Sequence, residues 1–147
     1  MLARTALSYP LPPPPFCARA DRIVASGTTY EASLKIDVAS EVWGVRPGEQ
    51  FVLALTSSLR ADGKPDPDYW EPDSHTGRGS LVEQYEYAMC GKVFKYEYVK
   101  DRQVGVVASF GGLLMLLIGD QRHLVRISLD QKVYALIKKV GASTTSR

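Results

Sequence analysis

The residues of this chain whose types could support catalysis are few and scattered. The two histidines, His75 and His123, have no serine, cysteine or aspartate at a spacing typical of nucleophilic catalysis. Glu83, Glu86 and Glu97 lie near tyrosines, but a hydrolase with paired carboxylates needs two acids that converge in a cleft. Since glutamates on solvated strand faces explain this pattern more simply, we predict no catalytic residues.

The glycine-rich stretches do not form a nucleotide-binding motif. A dinucleotide-binding loop needs the spacing GxGxxG between a strand and a helix, whereas Gly111 and Gly112 are adjacent and lead into an apolar run. Gly63 and Lys64 are followed by Pro65 rather than by the serine or threonine of a phosphate-binding loop. We therefore expect no nucleotide and no other cofactor.

Disulfide bonding and metal ligation are also unsupported by the residue spacing. Cys17 and Cys90 are far apart and belong to no CxxC pair, which argues against a disulfide scaffold and against a zinc site. The polar connection at residues 59–80 contains several carboxylates and His75, but no ligand spacing. We expect free thiols in a reducing compartment, a flexible loop at 59–80 and no bound metal.

Size and charge limit the classes of protein further. The 147 residues are 45% hydrophobic and 23% charged, which suits one globular domain of ordinary size. A net charge of +2 is small for a protein that binds mainly to phosphates. The apolar run at residues 110–119 would span about 15 Å as a helix, about half of a bilayer core, so we expect no membrane span.

The hydrophobic pattern predicts strands rather than helices. Every second residue is apolar at residues 31–38, which is the clearest alternation in the chain. About eight short strand candidates, with separate ones at residues 85–89 and 93–99, predict an all-β antiparallel sandwich or barrel. At residues 113–118, the odd-numbered side chains are expected on one face of a central strand and the even-numbered ones on the other.

The chain divides into one domain and two tails. Residues 1–16 contain four consecutive prolines and are predicted to form a disordered tail outside the fold. A targeting segment and a ligand for a proline-recognition module are the alternatives. Residues 17–140 are predicted to form the β-domain, and residues 141–147 a polar tail.

Several motifs in the second half of the sequence are more specific. Ser80 and Leu81, YEYAMCGKVFKYE at residues 85–97, SFGGLLM at residues 109–115 and VYALIKK at residues 133–139 occur in that order. Together they resemble the small eighth subunit shared by eukaryotic RNA polymerases I, II and III, over residues 22–139. The resemblance implies an OB-fold-like β-barrel that has no catalytic activity.

The same resemblance implies partners and a location. The protein would lie on the outside of a nuclear DNA-directed RNA polymerase, in the nucleoplasm and the nucleolus, and would be held mainly by the largest subunit. No small-molecule substrate and no membrane are implied, and direct contact with nucleic acid would be weak or absent.

The chain departs from the family pattern at three places. Family members usually open with an acidic segment that forms the first barrel strand, and the proline-rich segment stands there instead. A barrel without that strand would expose a neighbouring strand edge, so either another segment covers the edge or the start of the sequence is assigned wrongly. Cys90 replaces a usual tyrosine, and Leu116 and Ile118 replace an arginine and a polar or acidic residue.

These last two replacements make the second face of the central strand apolar. Burying Leu114, Leu116 and Ile118 is worth roughly 5–9 kcal/mol by transfer, before the costs of binding are subtracted. A monomer with this face bare would carry an adhesive apolar patch. We therefore expect these three residues to form a partner interface, covered by the chain itself or by the polymerase.

A stand-alone protein that binds single-stranded nucleic acid is the alternative function. OB-like barrels often stack bases on aromatic side chains within a basic groove. The candidate residues for such a surface are Tyr85, Tyr87, Lys92, Lys95 and Tyr96. Several of these aromatic side chains must also fill the barrel, and the nearby glutamates oppose phosphate.

Overall fold

Eight strands account for most of the described chain. The computed structural model of the protein describes residues 2–10, 19–64 and 80–141, with the backbone alone described for residues 2–10. The strands are β1 (Leu2–Pro10), β2 (Ala20–Gly27), β3 (Ala32–Ala39), β4 (Gln50–Thr56), β5 (Tyr87–Tyr98), β6 (Gln103–Phe110), β7 (Leu113–Asp120) and β8 (Lys132–Lys139). A 3-10 helix (Leu81–Gln84) precedes β5, and a four-residue α-helix, α1 (Gln121–Leu124), follows β7.

The strands form a closed antiparallel barrel. Their order around the barrel is β1-β2-β3-β7-β6-β5-β8-β4, and β4 pairs with β1 to close the ring. Three neighbouring pairs, β2–β3, β5–β6 and β6–β7, are joined by short connections, and the β6–β7 turn consists of Gly111 and Gly112, both with positive φ. Two such residues fit the tight turn that matches the strand twist, so these glycines serve the fold. The predicted all-β antiparallel barrel is confirmed.

The first strand corrects one prediction. Residues 2–10, which fall within the predicted disordered tail, form β1 and pair with β2 from Ala3↔Gly27 to Pro10↔Asp21. The start of β1 also pairs with β4, so the strand covers the two edges that an incomplete barrel would expose. The remainder of the predicted tail, the loop at 65–79 and residues 142–147 of the polar tail lie outside the described residues.

A second difference concerns the two strands predicted at residues 85–89 and 93–99. They form one strand, β5, of 12 residues. The pairing of β5 with β6 shifts by one residue between Val93 and Lys95. Such a bulge changes which side chains point inward, so Val93 and Tyr96 both face the core.

The barrel interior is filled by the inward faces of the strands. The predicted alternation is confirmed in β3, where Leu34, Ile36 and Val38 are buried, and in β7, where Met115 and Leu117 are buried. Other side chains that are almost fully buried in this core include Ile23, Phe51, Leu53, Val93, Val104, Val106 and Ile137. An eight-stranded barrel is narrow enough for side chains to fill it, and this barrel has one contiguous core.

One end of the barrel is plugged by Trp43, from the connection between β3 and β4. Its ring stacks on Tyr87 and meets Phe51 edge-on, each with a centroid separation of 6.0 Å. The indole Nε1–H donates a hydrogen bond to Glu86 at 2.9 Å. At the opposite end, Leu124 of α1 and Ile127 pack against the core but close it only in part.

A second, smaller apolar cluster covers part of the outside. Tyr134 and Leu136 project outward from β8, yet both are buried. Leu59 lies against them, and the side chains that complete this cover are Ala54, Leu81, Val82 and Tyr85. The chain itself therefore protects the outer face of β4 and β8.

Candidate partner interface

The outer face of β7 has no such cover among the described residues. Leu114 is 42% exposed, and Leu116 and Ile118 are half-buried by their strand neighbours alone. All three project outward, as predicted from the alternation, while Met115 and Leu117 project inward. The three predicted interface residues are thus brought together on one continuous outer surface.

Neighbouring strands widen this apolar surface. Val107 of β6 lies directly opposite Leu116. Gly105 lies opposite Ile118, and a methyl group placed on it would meet Val99 at 3.5 Å and Ile118 at 3.9 Å. Val99, which is itself exposed, therefore extends the patch beside the glycine. We call the surface formed by Leu114, Leu116, Ile118, Val107 and Val99 the β7 face.

Lysines border the β7 face on both sides. Lys35 of β3 lies opposite Leu116, and Lys95 of β5 lies opposite Val107. Lys95 is 3.0 Å from Glu97, and both side chains are about half exposed, so this pair contributes little energy. Lys35 has no ion pair within the described ranges. An apolar strip with cations along its borders suits a partner that offers apolar and acidic side chains.

A buried carboxylate fixes the edge of this face where β7 begins. Asp37 accepts hydrogen bonds from Arg22 Nε at 2.7 Å and from Arg22 Nη2 at 3.0 Å. The backbone N–H of Leu114 donates a third, at 3.2 Å. The hydrogen bonds and the charge of Asp37 raise the pKa of Arg22. The alternation in β3 predicts that Asp37 faces solvent. Only the pairing of β3 with β2 and β7 explains why it is buried.

The residues of the alternative nucleic-acid surface are not brought together. Tyr87 lies in the core beneath Trp43, and its hydroxyl accepts a hydrogen bond from Ala39 N. Tyr96 packs against the core, and Tyr85 belongs to the outer cluster on β8. The remaining lysines, Lys92 and Lys95, lie near the carboxylates of Asp130 and Glu97. No basic groove lined by stacked aromatic rings results, so the alternative function is not favoured.

Of the side chains considered above for catalysis, Glu86 and His123 make structural contacts. Glu86 accepts hydrogen bonds from Trp43 and from the backbone N–H of Lys139, and thereby joins the barrel end to β8. The ring of His123 lies 4.2 Å from that of Tyr30, whereas His75 and Cys17 lie outside the described residues. Cys90 is exposed and free.

Two absences concern residues 2–10, 19–64 and 80–141, the described part of the chain. No group of three or more histidines, cysteines and carboxylates there is arranged to hold a metal ion. None of its helices has the length and apolar content needed to cross a membrane.

These features define a class of protein. The barrel has a filled core and one end closed by Trp43. The chain itself covers one outer face, whereas a second outer face is apolar and open. These features are typical of a small assembly subunit. The sequence model of the RNA polymerase Rpb8 family matches residues 16–139. The chain belongs to this family, whose members are non-catalytic subunits of RNA polymerase. The resemblance stated from the sequence is confirmed. Because these polymerases are nuclear, the protein is nuclear.

Relatives match over most of their length. The chain is 43% identical over 122 residues to the DNA-directed RNA polymerases I, II, and III subunit rpabc3 of Dictyostelium discoideum, covering 82% of this chain and 83% of that protein. It is 36% identical over 121 residues to the DNA-directed RNA polymerases II, IV and V subunit 8B of Arabidopsis thaliana, covering 81% of each. A subunit RPABC3 of Schizosaccharomyces pombe is 36% identical over 121 residues, covering 82% of each chain.

Proposed function

We propose that this protein is a structural subunit shared by nuclear RNA polymerases I, II and III, and that the β7 face attaches it to the polymerase. The uncovered apolar surface at Leu114, Leu116 and Ile118 carries this proposal. Membership of the Rpb8 family indicates that the complex is an RNA polymerase. The resemblance described above implies that the largest subunit is the main partner. The protein then acts in the nucleoplasm and the nucleolus.

The energetic argument for attachment through the β7 face is the contrast between two outer faces of the barrel. On β8, Tyr134 and Leu136 are shielded by the chain itself. On β7, Leu114 is exposed and Leu116 and Ile118 are half-buried, so cover by another surface would lower the free energy further. Full burial of one exposed leucine is worth about 1.5–3 kcal/mol, so completing the burial of these three partly exposed side chains is enough to change the equilibrium constant about tenfold.

The test is whether a tagged copy of this protein recovers the polymerase from nuclear extract. The wild-type chain should retain the largest polymerase subunits at matching stoichiometry. We expect Leu116→Asp to lower this recovery at least about tenfold, because the substitution removes an apolar contact and would bury a carboxylate. Mass spectrometry of the bound chains gives the measurement.

The matched control places the same charge on another exposed aliphatic residue. Val42, in the connection after β3, is 72% exposed and lies away from the β7 face. Val42→Asp should leave recovery unchanged. Full recovery with Leu116→Asp would show that the β7 face is not the attachment surface. Recovery of nucleic acid or unrelated proteins alone would contradict the assembly role itself.

A further inference from the structure

The end of the barrel opposite Trp43 contains a cavity of about 300 Å³. Its walls are mainly apolar and come from inward-facing strand residues and from the segment around α1. The apolar lining residues are Ala32, Leu53, Leu55, Leu117, Gly119, Leu124 and Ile127. A cavity of this size is at the lower limit for small-molecule sites, so one large side chain suits it better than an extended ligand.

An exposed aromatic side chain lies at the mouth of this cavity. Tyr30, which lines the cavity, is 49% exposed, and its ring contacts that of His123. Val125 and Leu129 do not line the cavity, but they belong to the same segment as the lining residues Arg126 and Ile127 and are 66% and 56% exposed. This segment therefore combines an apolar cavity with exposed apolar side chains, which is typical of protein docking sites.

Arg126 provides a cation at the mouth for an acidic ligand group. Arg126 lines both this cavity and an adjoining pocket of about 200 Å³, and no ion pair involves it among the described residues. Asp120 is already engaged, since Arg122 donates hydrogen bonds to both of its oxygens. Glu31 is the one lining carboxylate without a described partner, and its charge opposes an acidic ligand group.

We propose that this cavity is a docking pocket for a peptide segment of a protein partner. The segment inserts one large apolar side chain into the cavity and places a neighbouring carboxylate on Arg126. Gly119 and Asp120 line the cavity at the end of β7, so a segment that follows the β7 face reaches this mouth. The identity of the partner as a polymerase subunit rests on the proposed function, whereas the chemistry of the pocket does not.

The test uses the purified full-length chain and two probe peptides that differ by one charge, acetyl-Trp-Glu-amide and acetyl-Trp-Gln-amide. We expect both to shift the NMR signals of Gly119, Leu124 and Ile127. The glutamate peptide should bind roughly threefold more tightly, the effect of one solvent-exposed ion pair. This preference should disappear in Arg126→Gln and increase in Glu31→Gln.

A third variant reports on the cavity itself. A methyl group at Gly119 would lie 3.6 Å from Ala32 and from Leu124, an ordinary contact distance. Gly119→Ala should therefore keep the fold, as shown by an otherwise unchanged spectrum, and weaken both peptides alike.

Three results would overturn the proposal. These are the absence of shifts at the cavity, equal affinity for the two peptides, and a preference for the uncharged peptide. Leu116→Asp should leave peptide binding unchanged because the β7 face lies outside the cavity. A loss of polymerase recovery with intact peptide binding, or the reverse, therefore shows which of the two proposals has failed.

Discussion

At the scale of single residues, the carboxylate of Asp37 connects three strands, because Arg22 of β2 and the backbone of Leu114 in β7 both donate hydrogen bonds to it. The Asp37 side chain is 4% exposed. We expect Arg22→Met to lower the free energy of unfolding by about 2–3 kcal/mol, since the carboxylate would remain buried without its cation. Urea denaturation measures the change.

A neighbouring arginine provides the control for this prediction. Arg19 is largely exposed and lies 3.9 Å from Asp21, so Arg19→Met should change stability by less than about 0.5 kcal/mol. If Arg22→Met changed stability as little as Arg19→Met, water would be replacing the guanidinium and the pair would not hold the strands together.

Asp120 gives a prediction about pH. The side chain of Arg122 and its backbone N–H donate hydrogen bonds to this carboxylate and lower its pKa to about 2. Because the folded-state pKa is below the ordinary value of 3.8, the stabilisation is present above that value and is lost as the pH falls towards 2. NMR titration should give a midpoint near 2, and Arg122→Gln should raise it. A wild-type midpoint at 3.8 would show that the hydrogen bonds do not persist in solution.

At the scale of secondary structure elements, β5 depends on a glycine. A methyl group on Gly91 would overlap the backbone carbonyl of Ser109 in β6, and backbone atoms cannot move aside without disturbing the pairing. We expect Gly91→Ala to lower the free energy of unfolding by more than about 2 kcal/mol. Thermal or urea unfolding would show the change.

The control for Gly91 is Gly105, on β6. A methyl group there would meet no atom closer than 3.5 Å. Gly105→Ala should therefore change stability by less than about 1 kcal/mol. Equal effects of the two substitutions would mean that the close approach of β5 and β6 at Gly91 relaxes at little cost.

The same elements show how far local sequence patterns reach. The alternation in β3 and β7 predicted their inward and outward faces, because the period of two is a property of each strand alone. The continuity of β5 was not predictable in this way, since its bulge between Val93 and Lys95 depends on pairing with β6. β1 was missed because the proline run that follows Pro10 dominated the local composition.

At the scale of the whole molecule, the sequence predicted the three central residues of the candidate interface but not the residues that border them. Leu114, Leu116 and Ile118 lie on one strand, so the sequence indicated their common face. The lysines that border them, Lys35 and Lys95, come from β3 and β5 and are placed there by the register of four adjacent strands. The cavity at the barrel end depends on the same long-range closure, which no local pattern encodes.

Closure of the barrel by β1 leads to the last prediction. Deletion of residues 1–10 would leave β2 and β4 as open edges with unpaired backbone groups. We expect a loss of at least about 2 kcal/mol in the free energy of unfolding, because β1 forms backbone hydrogen bonds with two strands and each contributes about 0.5–1.5 kcal/mol. The open edges should also increase self-association, which light scattering after size-exclusion chromatography detects.

Deletion of residues 142–147, part of the segment that the sequence predicts to be a polar tail, is the control truncation and is expected to change neither property. If the chain without residues 1–10 kept the stability and the oligomeric state of the full chain, the seven remaining strands would suffice for the fold. β1 would then be needed neither for the stability of the barrel nor for the protection of the two edges. An intermediate result, with increased association at unchanged stability, would contradict the stability argument but retain the role of β1 as a protecting strand, because edge pairing between copies needs only exposed backbone groups.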